Sequence, residues 1–485
     1  MLKNMEMSRT MRVIAATLPV VALVGCVVGP SYQGPPATEL HDYHQAPAVP
    51  AVPVQSAAPV ALDTWWMGFN DPVLTRIVER ALTQNLDLAA AVARVEQARA
   101  AAKEAGAKLL PSGALDASVN QLHQSLSGPI GAIAHDLPGY YRNQRLYDAG
   151  VGAGWELDLF GGLQRGAEAA RDEAQAAQSE QLALRVSIVA EAADAYFQVR
   201  GDQARLVIAQ SQVDNDAHLL ELIRLRLAKG ASSDKEVAQA EALLAQARAT
   251  IPPLNTALEA QLNRLDVLMG AQAGTYAAEL AHPENVPSTP AIPSDQNASD
   301  LLRRRPDIIA AERRLAASNA RIGVAVAEYY PKVSLAGALG FDSLSASRFF
   351  SADSFQPQAT AGLRWRLFDF GRVDAEVAQA NSVHAQALLA YRQSVLRATE
   401  DVENAFTSLV QLSIEIHELA NEVDALRRAR DTSQELYLAG ASSLTDVLDA
   451  ERQSLVAQDE LAQARADSDR SAVASFRALG GGWKM

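Results

Sequence analysis

The chain has 485 residues, 48% hydrophobic but only 6% aromatic, with a formal net charge of −14. The length alone predicts two or three domains, yet an alanine-rich, aromatic-poor chain suits long helices packed through small side chains, and a long rod breaks that rule. The acidic balance argues against nucleic acid as a partner, and with a single cysteine, Cys26, there is no internal disulfide framework.

At the N-terminus, Lys3, Arg9 and Arg12 precede the apolar run 13–24, the pattern of a signal peptide over 1–25. The run ends in Leu23-Val24-Gly25-Cys26, the form of a lipobox. Cys26 is therefore the candidate lipidation site, its thiol taking a diacylglyceryl group; an ordinary secretory peptide with an incidental cysteine is the plainer alternative. Removal of Lys3, Glu6, Arg9 and Arg12 takes the net charge from −14 to −16. Val27, rather than Asp, follows the cysteine, which by similarity to bacterial lipoproteins favours the outer membrane. No later stretch reaches 18 consecutive apolar residues, so no membrane-spanning helix is predicted; any crossing must be made by strands. Residues 26–61 read as a lipid anchor and Pro-rich linker, extended at about 3.1 Å per residue. His41 and His44 within it read as linker residues rather than metal ligands.

From Leu62 onward the chain consists of two similar halves. Asp87 and Pro111 recur as Asp307 and Pro331, 24 positions apart both times, and Arg94 recurs as Arg314. Trp155, Phe160 and Gly161 recur 210 positions later as Trp365, Phe370 and Gly371, and Ala195-Tyr196 as Ala405-Phe406. A repeat this long implies duplication of one structural unit. Each copy reads as helix, two strands and a helical hairpin, over 62–270 and 301–485, with 271–300 as a linker between them.

Val395, Ala398, Val402, Ala405, Leu409, Leu412, Ile416, Leu419, Val423 and Leu426 step by three and four, a coiled-coil seam. The seam predicts a helix over 372–438, about 100 Å long at 1.5 Å per residue, matched by one over 163–228. Ile251-Pro252-Pro253 predicts a kink or break in the first returning helix, so that the two hairpins differ in course. At each tip the turn is written alike: Gly230-Ala231-Ser232-Ser233 and Gly440-Ala441-Ser442-Ser443. The glycines end one helix in the left-handed conformation, and the serines suit the cap of the next.

Four segments alternate with period two. Leu115, Ala117 and Val119 oppose Asp116, Ser118 and Asn120. In Tyr147–Phe160, Val151, Ala153, Trp155 and Leu157 oppose Gly150, Gly152, Gly154 and Glu156. In Lys332–Leu344, Val333, Leu335, Leu339 and Phe341 oppose Lys332, Ser334 and Asp342; in Gln358–Phe368, Leu363, Trp365 and Leu367 oppose Arg364 and Arg366. Each is about ten residues, the length of a tilted strand across an outer membrane. A soluble sheet with one wet face is the plainer alternative, but the helices already use their apolar seams on one another. Four strands cannot close a membrane barrel, and open edges in lipid leave backbone groups unpaired at several kcal/mol each. Copies of the chain are thus predicted to pool strands: two copies give a bore filled by side chains, three a hollow one. The polar inner face favours three.

Together these residues resemble one family. Cys26 followed by "VVGPSY" and "GPP", then "WWMGFNDPVLTRIVERALTQNLDL", "LLRRRPDIIAAERRLAASNARIGVAVAEYYPKVSL" and "FDFGR", are similar to the TolC-like outer-membrane factors. The likeness is to their NodT-type outer-membrane efflux lipoproteins and spans nearly the whole mature chain. It implies a mixed α/β membrane protein: a trimeric 12-stranded β-barrel, four strands per chain, continued by a long α-helical coiled-coil periplasmic tunnel. An equatorial domain is expected from about 62–84, 270–300 and the C-terminal tail. The resemblance also implies a periplasmic gate, with Asp446 and Asp449 lining the constriction and Tyr437 holding the closed state. Adaptor contacts are implied at the hairpin tips: Gly230, Ala231, Ser232, Gly440, Ala441 and Ser442. Residues three apart share a helix face, so threefold symmetry stacks two carboxylate rings. Ser442 stands where some relatives carry arginine. For Asp446 and Asp449 the plainer alternative is a pair of acids favoured by a helix N-terminus.

The implied function is an exit duct of a tripartite efflux pump, passively conducting small molecules such as drugs across the outer membrane. The implied partners are a homotrimer, a periplasmic adaptor, an inner-membrane pump of the resistance–nodulation–division type, and outer-membrane lipid. The alternative on the same fold is the outer-membrane component of a type I protein secretion system; the alternative from another class is a periplasmic coiled-coil adaptor or structural lipoprotein. An enzyme is not expected. No Ser/His/Asp order, paired-carboxylate site or Cys/His cluster stands out, and "GVGAGWELDLFGG" lacks a phosphate-loop Lys-Ser/Thr. Arg303-Arg304-Arg305 reads as a charged approach to a helix beginning at Pro306. Met67, Met269 and Met485 are too scattered for a soft-metal relay. No cofactor is expected beyond the covalent lipid on Cys26.

Overall fold

The structure, a computed structural model, describes residues 27–35, 43–44, 61–283, 289–293 and 298–484, so the signal sequence and Cys26 lie outside it. Its elements in chain order are α1 (Pro72–Gln84), α2 (Leu86–Ala107), β1 (Ser112–His123), α3 (Pro129–Ala134), β2 (Asn143–Leu157), α4 (Gly162–Ala228) and α5 (Asp234–Leu268). The second half supplies α6 (Ala298–Arg304), α7 (Pro306–Ala327), β3 (Lys332–Ser343), β4 (Phe355–Arg364), α8 (Arg372–Leu438) and α9 (Leu444–Ala478). The chain divides into two compact units, each drawing on both halves of the repeat: 1–36, 96–176 and 312–390 form one, and 37–95, 177–311 and 391–485 the other.

The duplication is visible element by element. The outgoing helices α4 and α8 have 67 residues each and the returning helices α5 and α9 have 35 each. Of the kink or break expected at Pro252-Pro253, the break is absent, because α5 runs through both prolines. The amide hydrogens that these prolines lack would have bonded the carbonyls of Arg248 and Ala249. Both residues are exposed, so their carbonyls are open to water and the helix survives the loss. Thr256 Oγ also donates to the Pro252 carbonyl at 3.0 Å. Along α8, Val395, Ala398, Val402, Ala405, Leu409 and Val423 of the predicted seam are buried.

The first unit holds an antiparallel sheet in the order β1-β2-β3-β4. Its register places odd-numbered residues of all four strands on one face: Leu115 lies opposite Val151, Val151 opposite Leu339, and Leu339 opposite Pro357. That face is apolar over 113–119, 147–157, 333–341 and 355–363, and turns polar only at the loop end, with Gln121, His123, Asn143 and Arg145. The even face carries Asp116, Asp148, Asp342 and Gln356 around Gly150 and Gly340. A Cβ on Gly150 would stand 3.0 Å from the Gly340 Cα, and one on Gly340 would stand 2.9 Å from the Ala149 carbonyl oxygen, so both strands need glycine there. Two strand ends differ from expectation. β2 stops at Leu157 rather than Phe160, and β4 at Arg364 rather than Phe368. β4 ends opposite Lys332, the first residue of β3 after Pro331, so its ladder has no residue left to pair; β2 ends one place earlier, opposite Val333, where Asp158 turns to accept the amides of Leu163 and Gln164 at 3.1 and 2.6 Å. Trp365 instead donates its indole N–H to the Tyr329 carbonyl at 3.0 Å, just as Trp155 donates to Leu109 at 3.0 Å in the first copy.

In the second unit a short 3-10 segment, Leu62–Phe69, packs against the C-terminal tail. Trp65 stacks on Phe476 with ring centroids 5.1 Å apart, and the Gly482 amide donates to the Leu62 carbonyl at 2.7 Å. Asp71 caps α1 through the amides of Val73 and Leu74, at 2.8 and 3.1 Å, and accepts the hydroxyl of Tyr196. Buried Arg200 donates to the Tyr196 hydroxyl at 3.0 Å and to the His282 carbonyl at 2.9 Å, tying the segment before residue 284 to α4. Arg305, the last of the arginine run, pairs with Asp307 at 2.8 Å and with Asp401 at 2.9 Å, a partner on α8 that its sequence context does not reveal.

Candidate functional site

Two features answer to the sequence expectations: the two-faced sheet and the paired hairpin tips. On the apolar face of the sheet, Leu115, Leu339 and Leu363 are 74%, 61% and 68% exposed, so no other part of the described chain covers it. β1 and β4 are edge strands, each paired on one side only. An uncovered apolar face and two open edges are costly in water and incomplete in lipid. Phe341, Phe349, Phe350 and Phe355 cluster at the loop end of β3 and β4, with centroid spacings of 4.9 to 6.0 Å. Such an aromatic group suits the boundary between apolar and aqueous surroundings.

At the tips, sequence and geometry repeat closely. Gly230 and Gly440 have φ of 73° and 77°. The Ala231 amide bonds the Arg226 carbonyl and the Ala441 amide the Leu436 carbonyl, both at 2.8 Å. The glycine amides bond the Leu227 and Tyr437 carbonyls at 2.9 and 3.0 Å. This pair of bonds closes the helix end that a left-handed glycine permits. Ser233 and Ser443 then cap α5 and α9 in reciprocal boxes with Glu236 and Asp446. Ser232 and Ser442 add their hydroxyls to those same carboxylates, at 2.6 and 2.8 Å. Gly230, Ala231, Gly440 and Ala441 are exposed, while Ser232 and Ser442 are half-buried by these bonds.

Asp446 has a structural counterpart in the first hairpin. Glu236 occupies the equivalent place and does the same structural work. The hydroxyls of Ser443 and Ser442 and the Ser443 amide hold the Asp446 carboxyl below its ordinary value; Ser232 and Ser233 do the same for Glu236. Asp449 is different. Its counterpart 210 positions earlier is the uncharged Gln239, and its carboxylate points from an exposed position to Arg452 and Gln453, each at 2.8 Å.

Tyr437 is buried, 4% exposed, in a cluster with Ile223, Leu244, Leu444 and Val447. The Arg226 guanidinium lies 4.6 Å from its ring centroid and reaches its carbonyl at 3.4 Å. Burial raises the Tyr437 hydroxyl above its ordinary value, and that hydroxyl has no hydrogen-bond partner among the described residues. The structure therefore brings Tyr437 together with Arg226 of the other hairpin, and Asp446 together with Ser442 and Ser443. It does not join Tyr437 to either aspartate. Arg226 escaped the sequence reading because the repeat aligns it with Leu436 and so offers no signal.

The comparisons bear on the whole chain. Residues 77–271 and 297–481 match the family model described as outer membrane efflux protein. The chain is 34% identical to the pyoverdine export outer membrane protein OpmQ of Pseudomonas aeruginosa over 87% of each protein. It is 32% identical to nodulation protein T of Rhizobium leguminosarum biovar trifolii over 94% of each. The solved outer-membrane channel OprN superposes with a TM-score of 0.85 at 34% identity, covering 94% of this chain and 100% of that one. With an uncovered apolar sheet face, a duplicated helical hairpin and a match to both halves of the repeat, this chain belongs to the outer membrane efflux protein family.

Proposed function

We propose that three copies of the chain close a twelve-stranded barrel in the outer membrane and that their hairpins continue it as a periplasmic conduit. The observation that carries this reading is the parity of the sheet. Odd positions over 113–119, 147–157, 333–341 and 355–363 are apolar and uncovered, the even face carries the aspartates and the paired glycines, and both outer edges await a partner. Joining edges between copies removes the unpaired backbone groups, and lipid covers the apolar face. The glycine-lined polar face then surrounds a bore through which small molecules diffuse passively, as the export role in the name of OpmQ supports.

In this reading Asp446, Asp449 and Tyr437 form the periplasmic gate. Tyr437 is fixed by Arg226 across the two hairpins, and Asp449 presents its charge on the same helix face as Asp446. Gly230, Ala231, Ser232, Gly440, Ala441 and Ser442 form the tip surface that a periplasmic adaptor engages. An inner-membrane pump of the resistance–nodulation–division type supplies the energy. Cys26, outside the described residues, carries the lipid that tethers the chain to the outer membrane. The chain itself contributes no catalytic group and no cofactor beyond that lipid.

The deciding experiment is purification of the mature protein in detergent, followed by reconstitution in planar bilayers. A gel-stable trimer with discrete single-channel conductance is expected. A monomer that stays soluble without detergent and conducts nothing would refute the proposal.

A further inference from the structure

Near the tips, the packing layer between α4 and α9 contains one cluster that hydrophobic packing does not explain. Asp216 on α4 is 1% exposed and Glu451 on α9 is 7% exposed. Gln212, also buried, donates its side-chain amide to Asp216 Oδ1 at 2.8 Å and to Glu451 Oε2 at 3.3 Å. The second oxygen of Asp216 is buried with no partner among the described residues. Val213 and Leu220 lie within one turn of Asp216 on α4, and Val447 one turn before Glu451 on α9; all three belong to the buried apolar cluster that also holds Leu244 and Tyr437.

No cation balances this pair. Among the described residues, no ion pair reaches Asp216 or Glu451. The nearby charges are engaged elsewhere: Arg224 binds Glu241 at 2.7 Å, Arg452 binds Asp449 at 2.8 Å, and Arg226 lies over Tyr437. The charged group whose field reaches Asp216 is Glu451. Two buried carboxylates that share one amide donor cannot both ionise cheaply, and that one amide does not replace the lost hydration of two charges.

We propose that Asp216 is a proton-binding site where α4 meets α9, keeping its proton beside Glu451 while the helices are packed. When the contact opens, Asp216 is hydrated, its proton passes to water, and the site gains one negative charge. Burial, reinforced by Glu451, pushes the Asp216 carboxyl up to about 7. A hydrated aspartate ionises near 4. Between about pH 4 and 7 the packed form therefore keeps a proton that the opened form has released. The contact is strongest in acid, weakens as pH rises through this window, and has lost the contribution above about 7. Glu451 lies two positions beyond Asp449, so the weakening falls on the helix that carries both tip aspartates. Its consequence for an aperture, easier opening at higher pH, rests on the function proposed above.

Hydrogen–deuterium exchange on the purified full chain in detergent tests the site without requiring conductance. In the wild type, the opening equilibrium of amides 444–456 should rise by about tenfold per pH unit between pH 5 and 7, then level off. Asp216→Asn should show no such step. Glu451→Gln, which leaves Asp216 buried but removes its charged neighbour, should move the step to lower pH, and this decides the matter if Asp216→Asn fails to fold. A flat wild-type profile, or a step that survives Asp216→Asn, overturns the proposal. So does millimolar calcium restoring full protection at pH 8, which would make the pair a metal site instead. If exchange titrates as expected but open probability in bilayers shows no matching step, the proton site stands and its coupling to an aperture falls.

Discussion

Asp446 and Asp449, three positions apart on one helix, are held in different ways. Asp446 is bound into the turn by Ser442 and Ser443, whereas Asp449 touches only side chains of its own helix. Asp449→Ala therefore tests the charge of the tip with the turn intact. Reduced cation selectivity of the closed state is expected, and unchanged selectivity would remove Asp449 from the gate. Ser443→Ala tests the turn itself. Loss of this cap is expected to cost about 1 kcal/mol, read as faster amide exchange in the first turn of α9, with Ser233→Ala doing the same to α5. The lowered Asp446 carboxyl also sets a pH dependence. Its contribution is complete above the ordinary carboxylate range and is lost only as pH falls through the depressed folded value, so the turn stays capped at pH 5 and frays in stronger acid.

At the scale of elements, the hairpins depend on a small shared core and the sheet on strict alternation. Ile223 is wholly buried in the tip cluster, and Ile223→Ala is expected to destabilise that region by about 2–5 kcal/mol, measured as a lower thermal midpoint. The sheet offers a sharper contrast between adjacent positions. Leu339 lies on the apolar face and Ala338 on the polar one. Leu339→Arg is expected to cost roughly 2–4 kcal/mol in the membrane, whereas Ala338→Arg should be tolerated and narrow the bore. Gel mobility of unheated samples after folding into lipid vesicles distinguishes the two. Equal losses from both variants would mean that the faces are not lipid and lumen. The paired prolines of α5 add a lesson about helices: a predicted break fails when the stranded carbonyls face water.

Over the whole molecule, the proposal of a lipid-tethered trimer joins features that no single element shows. Cys26→Ser is expected to abolish fatty-acid labelling while leaving single-channel conductance unchanged; retained label would discard the lipobox. The lengths of the long helices, the glycine turns, the serine caps and the parity of the strands could all be read from residue order, because each is set by local geometry and a short period. The end of β4 was less legible, since its pairing stops where β3 begins after Pro331, and the residues that pair there are distant in the chain. The same holds at the tips. Only the packed structure places Arg226 on Tyr437 and buries Asp216 against Glu451. Each of these contacts joins residues far apart in the chain, and their energetics come from desolvation by surroundings that no local pattern encodes.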